Sequence, residues 1–174
     1  MVAQADACAK SPQISVETHS EEETEALGRS LGAALGTGAV VAVSGPLGAG
    51  KTVLARGLAC GLGIDPRDVV SPSFVYLVEY DEGRLPFVHA DLYRLGNLPD
   101  REAESVYESI GLNAAIASGA VVFVEWWEHY AGPPPAAVVR VELVPGTGNT
   151  RTINLEFSGV GLEAARLAVA LRRA

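Results

Sequence analysis

Ala39–Leu62 reads AVVAVSGPLGAGKTVLARGLACGL. It opens on a β-branched apolar run, Val40-Val41-Ala42-Val43, suited to a buried strand. Gly45-Pro46-Leu47-Gly48-Ala49-Gly50-Lys51-Thr52 follows, then Val53, Leu54, Leu58 and Leu62 at helical spacing. Strand, glycine loop and helix in that order form the context of the G-x-x-x-x-G-K-[ST] phosphate loop. The residue types suit an anion. Glycines let the backbone turn tightly and present N–H groups to phosphate oxygens. The helix that follows points its positive dipole end at the same charge. Lys51 supplies a point charge for the β- and γ-phosphates of a nucleotide, and Thr52 a hydroxyl for Mg²⁺. The plainer alternative is a glycine-rich turn with Lys51 merely solvated.

Upstream, residues 1–12 read as a mobile terminus and Gln13–Thr18 as a short edge strand with Ile14 and Val16 alternating. Ser20-Glu21-Glu22-Glu23 is a capping box, and Leu27, Leu31 and Leu35 continue as a helical stripe. Gly36-Thr37-Gly38 ends that helix. Downstream, Phe74–Tyr80 reads as a strand of aromatic and β-branched residues, Asp81–Arg84 as a hairpin turn and Leu85–Ala90 as the return strand. Arg101–Ile110 and Leu112–Ser118 are expected to be short helices. Ala120–Val124 is a buried strand, Val138–Val144 and Thr150–Phe157 two more, and Leu162–Arg173 an amphipathic terminal helix. The pattern predicts an α/β fold: a three-layer P-loop NTPase-type sandwich, its central sheet mostly parallel with antiparallel hairpin strands added.

The chain has 174 residues, 48% of them apolar and 20% charged, which suits one globular domain over residues 1–174. A net charge of −8 argues against a broad nucleic-acid footprint. Two cysteines, Cys8 and Cys60, read as reduced thiols, and no signal peptide or membrane-length apolar run is visible. A cytoplasmic protein without a membrane partner is expected.

A phosphate loop of this class needs an acid at the end of a neighbouring strand to serve Mg²⁺. Glu125 ends the most hydrophobic strand, and Asp91 ends the return strand. Their plainer readings are a boundary acid and a turn or cap acid. His89 suggests a general base, although a histidine at a strand end more often satisfies a backbone group. Arg94 is a candidate for contact with phosphate or carboxylate, and Trp126 and Trp127 for a wall of the cleft. The histidines and cysteines lack the spacing of a zinc site, and no G-x-S-x-G elbow is present.

With these stretches in hand the chain resembles the TsaE/YjeE family, the small ATPases of bacterial tRNA threonylcarbamoyladenosine synthesis. The resemblance rests on Gly45–Thr52, Ser71-Pro72-Ser73-Phe74, His89-Ala90-Asp91-Leu92-Tyr93-Arg94-Leu95 and Val124-Glu125-Trp126, in order, across residues 14–130. It implies an Mg²⁺-dependent ATPase that binds ATP and yields ADP while supporting a two-subunit threonylcarbamoyl transferase of the TsaB and TsaD type, with tRNA met indirectly. Gly45, Pro46, Leu47, Gly48, Ala49, Gly50, Lys51 and Thr52 would bind the nucleotide, with Ser73 in a switch-like loop near the γ-phosphate. Thr52, Asp91 and Glu125 would serve the metal, and Lys51, Glu125 and Asp91 the catalysis. Thr18–Ser20 would border the adenine. Three positions depart from the family pattern: Ser73 stands for a threonine, Asn113-Ala114-Ala115 replaces an acid-plus-tyrosine pair after Gly111-Leu112, and Trp127-Glu128 replaces smaller residues.

With no arginine finger evident in the chain, hydrolysis is expected to be weak without the transferase. A small-molecule or nucleotide kinase and a non-catalytic nucleotide-dependent binding module are the other readings. The acids Asp100, Glu102, Glu104 and Glu108 suit a kinase lid poorly. Arg166, Arg172 and Arg173 could touch tRNA, but a solvated helix face is the plainer account.

Overall fold

The β-branched runs become the middle of one seven-stranded sheet. The computed structural model describes residues 13–159 together with 162 and 166. The lead-in 1–12, Cys8, Arg172, Arg173 and most of the expected terminal helix lie outside the described residues. The strands are β1 (Gln13–Thr18), β2 (Val40–Ser44), β3 (Leu77–Tyr80), β4 (Phe87–Asp91), β5 (Val121–Glu125), β6 (Val138–Pro145) and β7 (Arg151–Ser158). The helices are α1 (Glu21–Ala34), α2 (Lys51–Gly61), α3 (Asp100–Ser109) and α4 (Leu112–Ala117).

The spatial order is β1-β7-β6-β2-β5-β4-β3. The four inner strands β6, β2, β5 and β4 are parallel. β7 and β3 run against them, and β1 pairs antiparallel with β7. Five of the seven strands therefore share a direction. Residues in β2, β4 and β5 are buried almost throughout, as expected for strands covered on both faces. β6 and β7 alternate instead, with Arg140 and Glu142 exposed, because no helix covers their outer face in the described residues.

α1 and α2 cover one face of the sheet, where Leu27, Leu31, Leu54 and Leu58 meet Val41, Val43 and Phe123. Tyr107, Leu112 and Ala115 of α3 and α4 cover the other face over Val88, Val122 and Val124. Each fully buried aliphatic side chain contributes roughly 1.5–3 kcal/mol relative to exposure. The expected capping box forms: the Glu23 N–H donates to Ser20 Oγ at 3.2 Å, and the His19 N–H to Glu23 Oε2 at 2.8 Å.

The strand expected over Phe74–Tyr80 is shorter than its composition suggests. Only Leu77–Tyr80 pairs with β4, and Phe74 is 83% exposed. The Val75 and Tyr76 N–H groups both turn back to the Pro72 carbonyl, and Tyr76 takes φ = 65°. Strand propensity at 74–76 is overridden by a turn that lies over the sheet's end. Among the described residues no helix is long and apolar enough to cross a membrane.

Candidate active site

The loop after β2 opens at the carboxyl ends of the parallel strands, the usual place for a ligand in an α/β sheet. Gly45, Gly48 and Gly50 all take positive φ (137°, 79° and 100°). At Gly45 a Cβ would lie 2.6 Å from the Leu143 carbonyl oxygen, and at Gly50 2.8 Å from Arg151 Nε. Glycine is required at both positions for conformation, and at Gly45 for space as well, since the atom there is backbone. Gly50 caps α2 with no side-chain acceptor, so the first-turn N–H groups are left for a ligand. Leu47 stands 79% exposed at the loop's tip.

Lys51 is 5% exposed. Its Nζ donates to the Gly45 and Pro46 carbonyls at 2.7 and 2.9 Å and sits 3.8 Å from the centre of the Trp126 ring. Burial pushes its pKa down, partly opposed by the charges of Glu125, Glu128 and Asp91. Trp126 follows β5 in the left-handed region at φ = 59°, which aims its ring across the loop between Lys51 and Tyr93.

The two acids stand side by side. Asp91 and Glu125 end β4 and β5 and are partners in the register of that pair, each 3% exposed. Glu125 Oε1 accepts from Thr52 Oγ1 at 2.9 Å and lies 2.9 Å from His89 Nε2. Asp91 Oδ2 accepts from Ser73 Oγ at 2.6 Å and Ser71 Oγ at 3.1 Å, and Oδ1 from the Tyr93 N–H at 2.9 Å. The loop, Thr52, Ser71, Ser73, Tyr93, both acids and Trp126 line one cavity of about 270 Å³. The oxygen-only set of one hydroxyl and two carboxylates suits a hard cation such as Mg²⁺. Three larger hollows, of about 610, 620 and 410 Å³, lie on the open face of β1, β6 and β7, between Leu95–Leu98 and His129–Pro133, and between Pro86–Val88 and Ala114–Ser118. None of them contains the glycine loop or the paired acids.

Of the nucleotide, metal and catalytic residues named from the sequence, all except Gly45 and Pro46 line the cavity directly, and those two hold Lys51 from behind. Trp126 lines it as well, whereas Trp127 lines the hollow on β1, β6 and β7. Glu21, rather than Thr18–Ser20, reaches the cavity, and Thr18 instead bonds Thr24 at 2.9 Å inside the core. Arg94 lies 5.3 Å from the Phe74 ring and not in the cavity. His89 bonds a carboxylate and not a backbone group. Arg151 was missed. Its Nε donates to the Ala49 carbonyl at 3.1 Å and its Nη1 to that of Asn149 at 2.9 Å, which clamps the loop from β7. The available signal was an arginine in the inward series Arg151, Ile153, Leu155, Phe157.

A family model described as "Threonylcarbamoyl adenosine biosynthesis protein TsaE" matches residues 18–153. The chain belongs to the TsaE family. It is 40% identical over 149 residues to the tRNA threonylcarbamoyladenosine biosynthesis protein TsaE of Bacillus subtilis (strain 168), covering 86% of this chain and 87% of that one. The protein of the same name from Treponema pallidum (strain Nichols) is 36% identical over 126 residues, 72% of this chain and 87% of its own. The crystal structure of Bacillus subtilis YdiB superposes with a TM-score of 0.75 at 27% identity, covering 94% of this chain and 98% of that one. The P-loop NTPase-type sandwich expected from the sequence is the fold observed. In this TsaE chain the departures from the family pattern are accommodated. Ser73 still reaches Asp91, Asn113 Oδ1 accepts from the Tyr107 hydroxyl at 2.7 Å, and Trp127 stacks on Tyr130 at 4.1 Å.

Proposed function

We propose that this chain is an Mg²⁺-dependent ATPase that supports formation of threonylcarbamoyladenosine in tRNA. Its partners would be transferase subunits of the TsaB and TsaD type, and it would meet tRNA only through them. The pathway follows from the family and from the names its relatives carry. One observation carries the chemistry: Asp91 and Glu125 stand in register at adjacent strand ends, beside the glycine loop and Thr52.

Phosphoryl transfer to water needs positioning and charge neutralisation more than covalent chemistry. The loop amides and Lys51 would hold the β- and γ-phosphates. Thr52 and one acid would hold Mg²⁺; Asp91 is assigned to the metal and Glu125 to the water, although in this structure Thr52 bonds Glu125. When bound, that ion would draw charge from the phosphate oxygens. Glu125 would orient the attacking water and take up its proton. Among the described residues Arg151 is the one arginine lining the cavity, and backbone carbonyls pin it to the loop through two of its five N–H groups; hydrolysis by the chain alone should therefore be slow and should rise when the transferase docks.

The test measures ATPase activity with and without the purified transferase subunits and scores tRNA modification in the same tube. Lys51→Ala should abolish hydrolysis. Glu125→Gln should keep ATP binding and lose about 10²-fold or more in turnover. Phosphate transferred to a small acceptor would mean a kinase. Binding without hydrolysis, even beside the transferase, would mean a nucleotide-dependent binding module.

A further inference from the structure

We propose that His89 is a positioning residue for Glu125: its Nε2–H fixes the carboxylate so that one oxygen stays turned toward the cavity. The proposal rests on the ATPase reading above for its kinetic consequence, though not for the contact itself.

The β4–β5 register sets His89 against Phe123 and Asp91 against Glu125. His89 is fully buried, stacked on Phe87 at 6.3 Å and meeting Phe123 edge-on at 5.4 Å. An imidazole in that apolar slot needs a polar partner to offset its desolvation. The partner is Glu125, which ends the neighbouring strand. In the proposed arrangement Nε2–H is the donor and the carboxylate the acceptor in that contact. Nδ1 meets nothing, and among the described residues it is the one buried side-chain nitrogen or oxygen without a partner. Such an orphan is tolerated more readily for an acceptor than for an N–H. A phenylalanine would fill the same slot without leaving any polar atom unpaired. The imidazole costs the fold something there, and what it supplies in return is a hydrogen bond to the acid of the site.

Both hydrogen bonds to the Glu125 carboxylate end on Oε1, from Thr52 and from His89, which leaves Oε2 for a water in the cavity. Thr52 is also the hydroxyl that would turn to a bound metal. Once it turns, His89 is the donor that still holds Oε1. Without it the carboxylate would be free to rotate at the moment its orientation matters. Supporting residues of this kind, behind a catalytic or metal-binding group, are typically worth 10–100-fold.

The experiment compares His89→Phe with His89→Gln. Phenylalanine keeps an aromatic ring between Phe87 and Phe123 and removes the donor; glutamine restores an N–H at similar reach. His89→Phe should lower kcat by about 10–100-fold, with ATP affinity within about twofold and Tm unchanged or raised. His89→Gln should recover most of the turnover. In a Glu125→Gln background, His89→Phe should add almost nothing, as expected for residues acting as one unit. A long-range ¹⁵N spectrum of the imidazoles provides a readout independent of activity. It should show His89 protonated on Nε2, with a resonance that shifts in Glu125→Gln. Wild-type turnover in His89→Phe would overturn the proposal. So would equal losses in both variants that merely follow Tm, or a ring protonated on Nδ1 alone. If the wild-type protein fails to hydrolyse ATP even beside the transferase, the ATPase reading has failed. The spectrum then decides the positioning claim by itself, for or against.

Discussion

Lys51 carries a charge in a place that disfavours it. Its ammonium is held off bulk water by Gly45, Pro46 and the face of Trp126, and burial lowers its pKa below the ordinary 10.5. The neighbouring acids Glu125, Glu128 and Asp91 recover part of the shift. A bound triphosphate would add negative charge at close range and raise the pKa again. The sign follows from linkage: the bound state holds the proton more tightly than the free state, so binding favours the protonated form. ATP affinity should be flat with pH while free Lys51 is protonated. It should then fall as pH rises through the lowered value, by up to about tenfold per pH unit for one proton. Titration calorimetry in buffers of different ionisation enthalpy would show proton uptake growing over that range. Lys51→Arg, which stays charged throughout, should bind with no such slope. A slope that survives in Lys51→Arg would assign the proton to another group.

At the scale of elements, α1 and α2 pack backbone against backbone, and glycines make this possible. A Cβ at Gly28 would stand 2.4 Å from the Leu54 carbonyl oxygen, at Gly32 2.1 Å from that of Leu58, and at Gly57 2.0 Å from that of Glu25. α2 carries the phosphate loop at its head, so the depth at which it sits against α1 sets the position of Lys51 and Thr52. Gly32→Ala should force the helices apart and cost about 1–3 kcal/mol, with Tm falling by roughly 2–4 °C per kcal/mol. Gly36→Ala, where nothing lies within 4 Å, is the control and should be close to neutral. Thermal denaturation of the two variants checks both. The periodic elements were legible in the sequence because their signals are local: the capping box and leucine stripe of α1, the β-branched run of β2 and the apolar run of β5. Phe74–Tyr76 misled because its strand propensity is also local. What defeats it is Ser71 and Ser73 bonding Asp91, 20 and 18 residues away. The partner of His89, and Arg151 altogether, were illegible for the same reason in stronger form. His89 meets Glu125 across 36 residues of chain and Arg151 meets Ala49 across 102, and only the sheet order brings either pair together.

Across the whole molecule, the site is a consequence of the strand order. β2 lies between β6 and β5, and β4 lies beyond β5. The glycine loop, Glu125 and Asp91 therefore occupy consecutive strand ends on one edge of the parallel core, and Arg151 reaches back to the loop from β7. A ligand there would tie together elements that nothing else in the cavity joins covalently: α2, the ends of β4 and β5, the Ser71–Phe74 turn and the start of β7. A nucleotide that binds only the folded chain should stabilise the whole fold by mass action, about 2.7 kcal/mol at a hundredfold excess over Kd. For a chain of this size that corresponds to a Tm rise of roughly 5–10 °C. The phosphates and not the base should carry the effect, because the glycine loop, the free first-turn N–H groups of α2 and Lys51 are built for anions. ADP and ATP should therefore shift Tm, AMP at the same concentration should not, and Lys51→Ala should lose most of the shift. An AMP shift equal to that of ATP would move the recognition away from the loop and toward a base pocket. The strand order would then bring Asp91 and Glu125 together without a phosphate for them to act on.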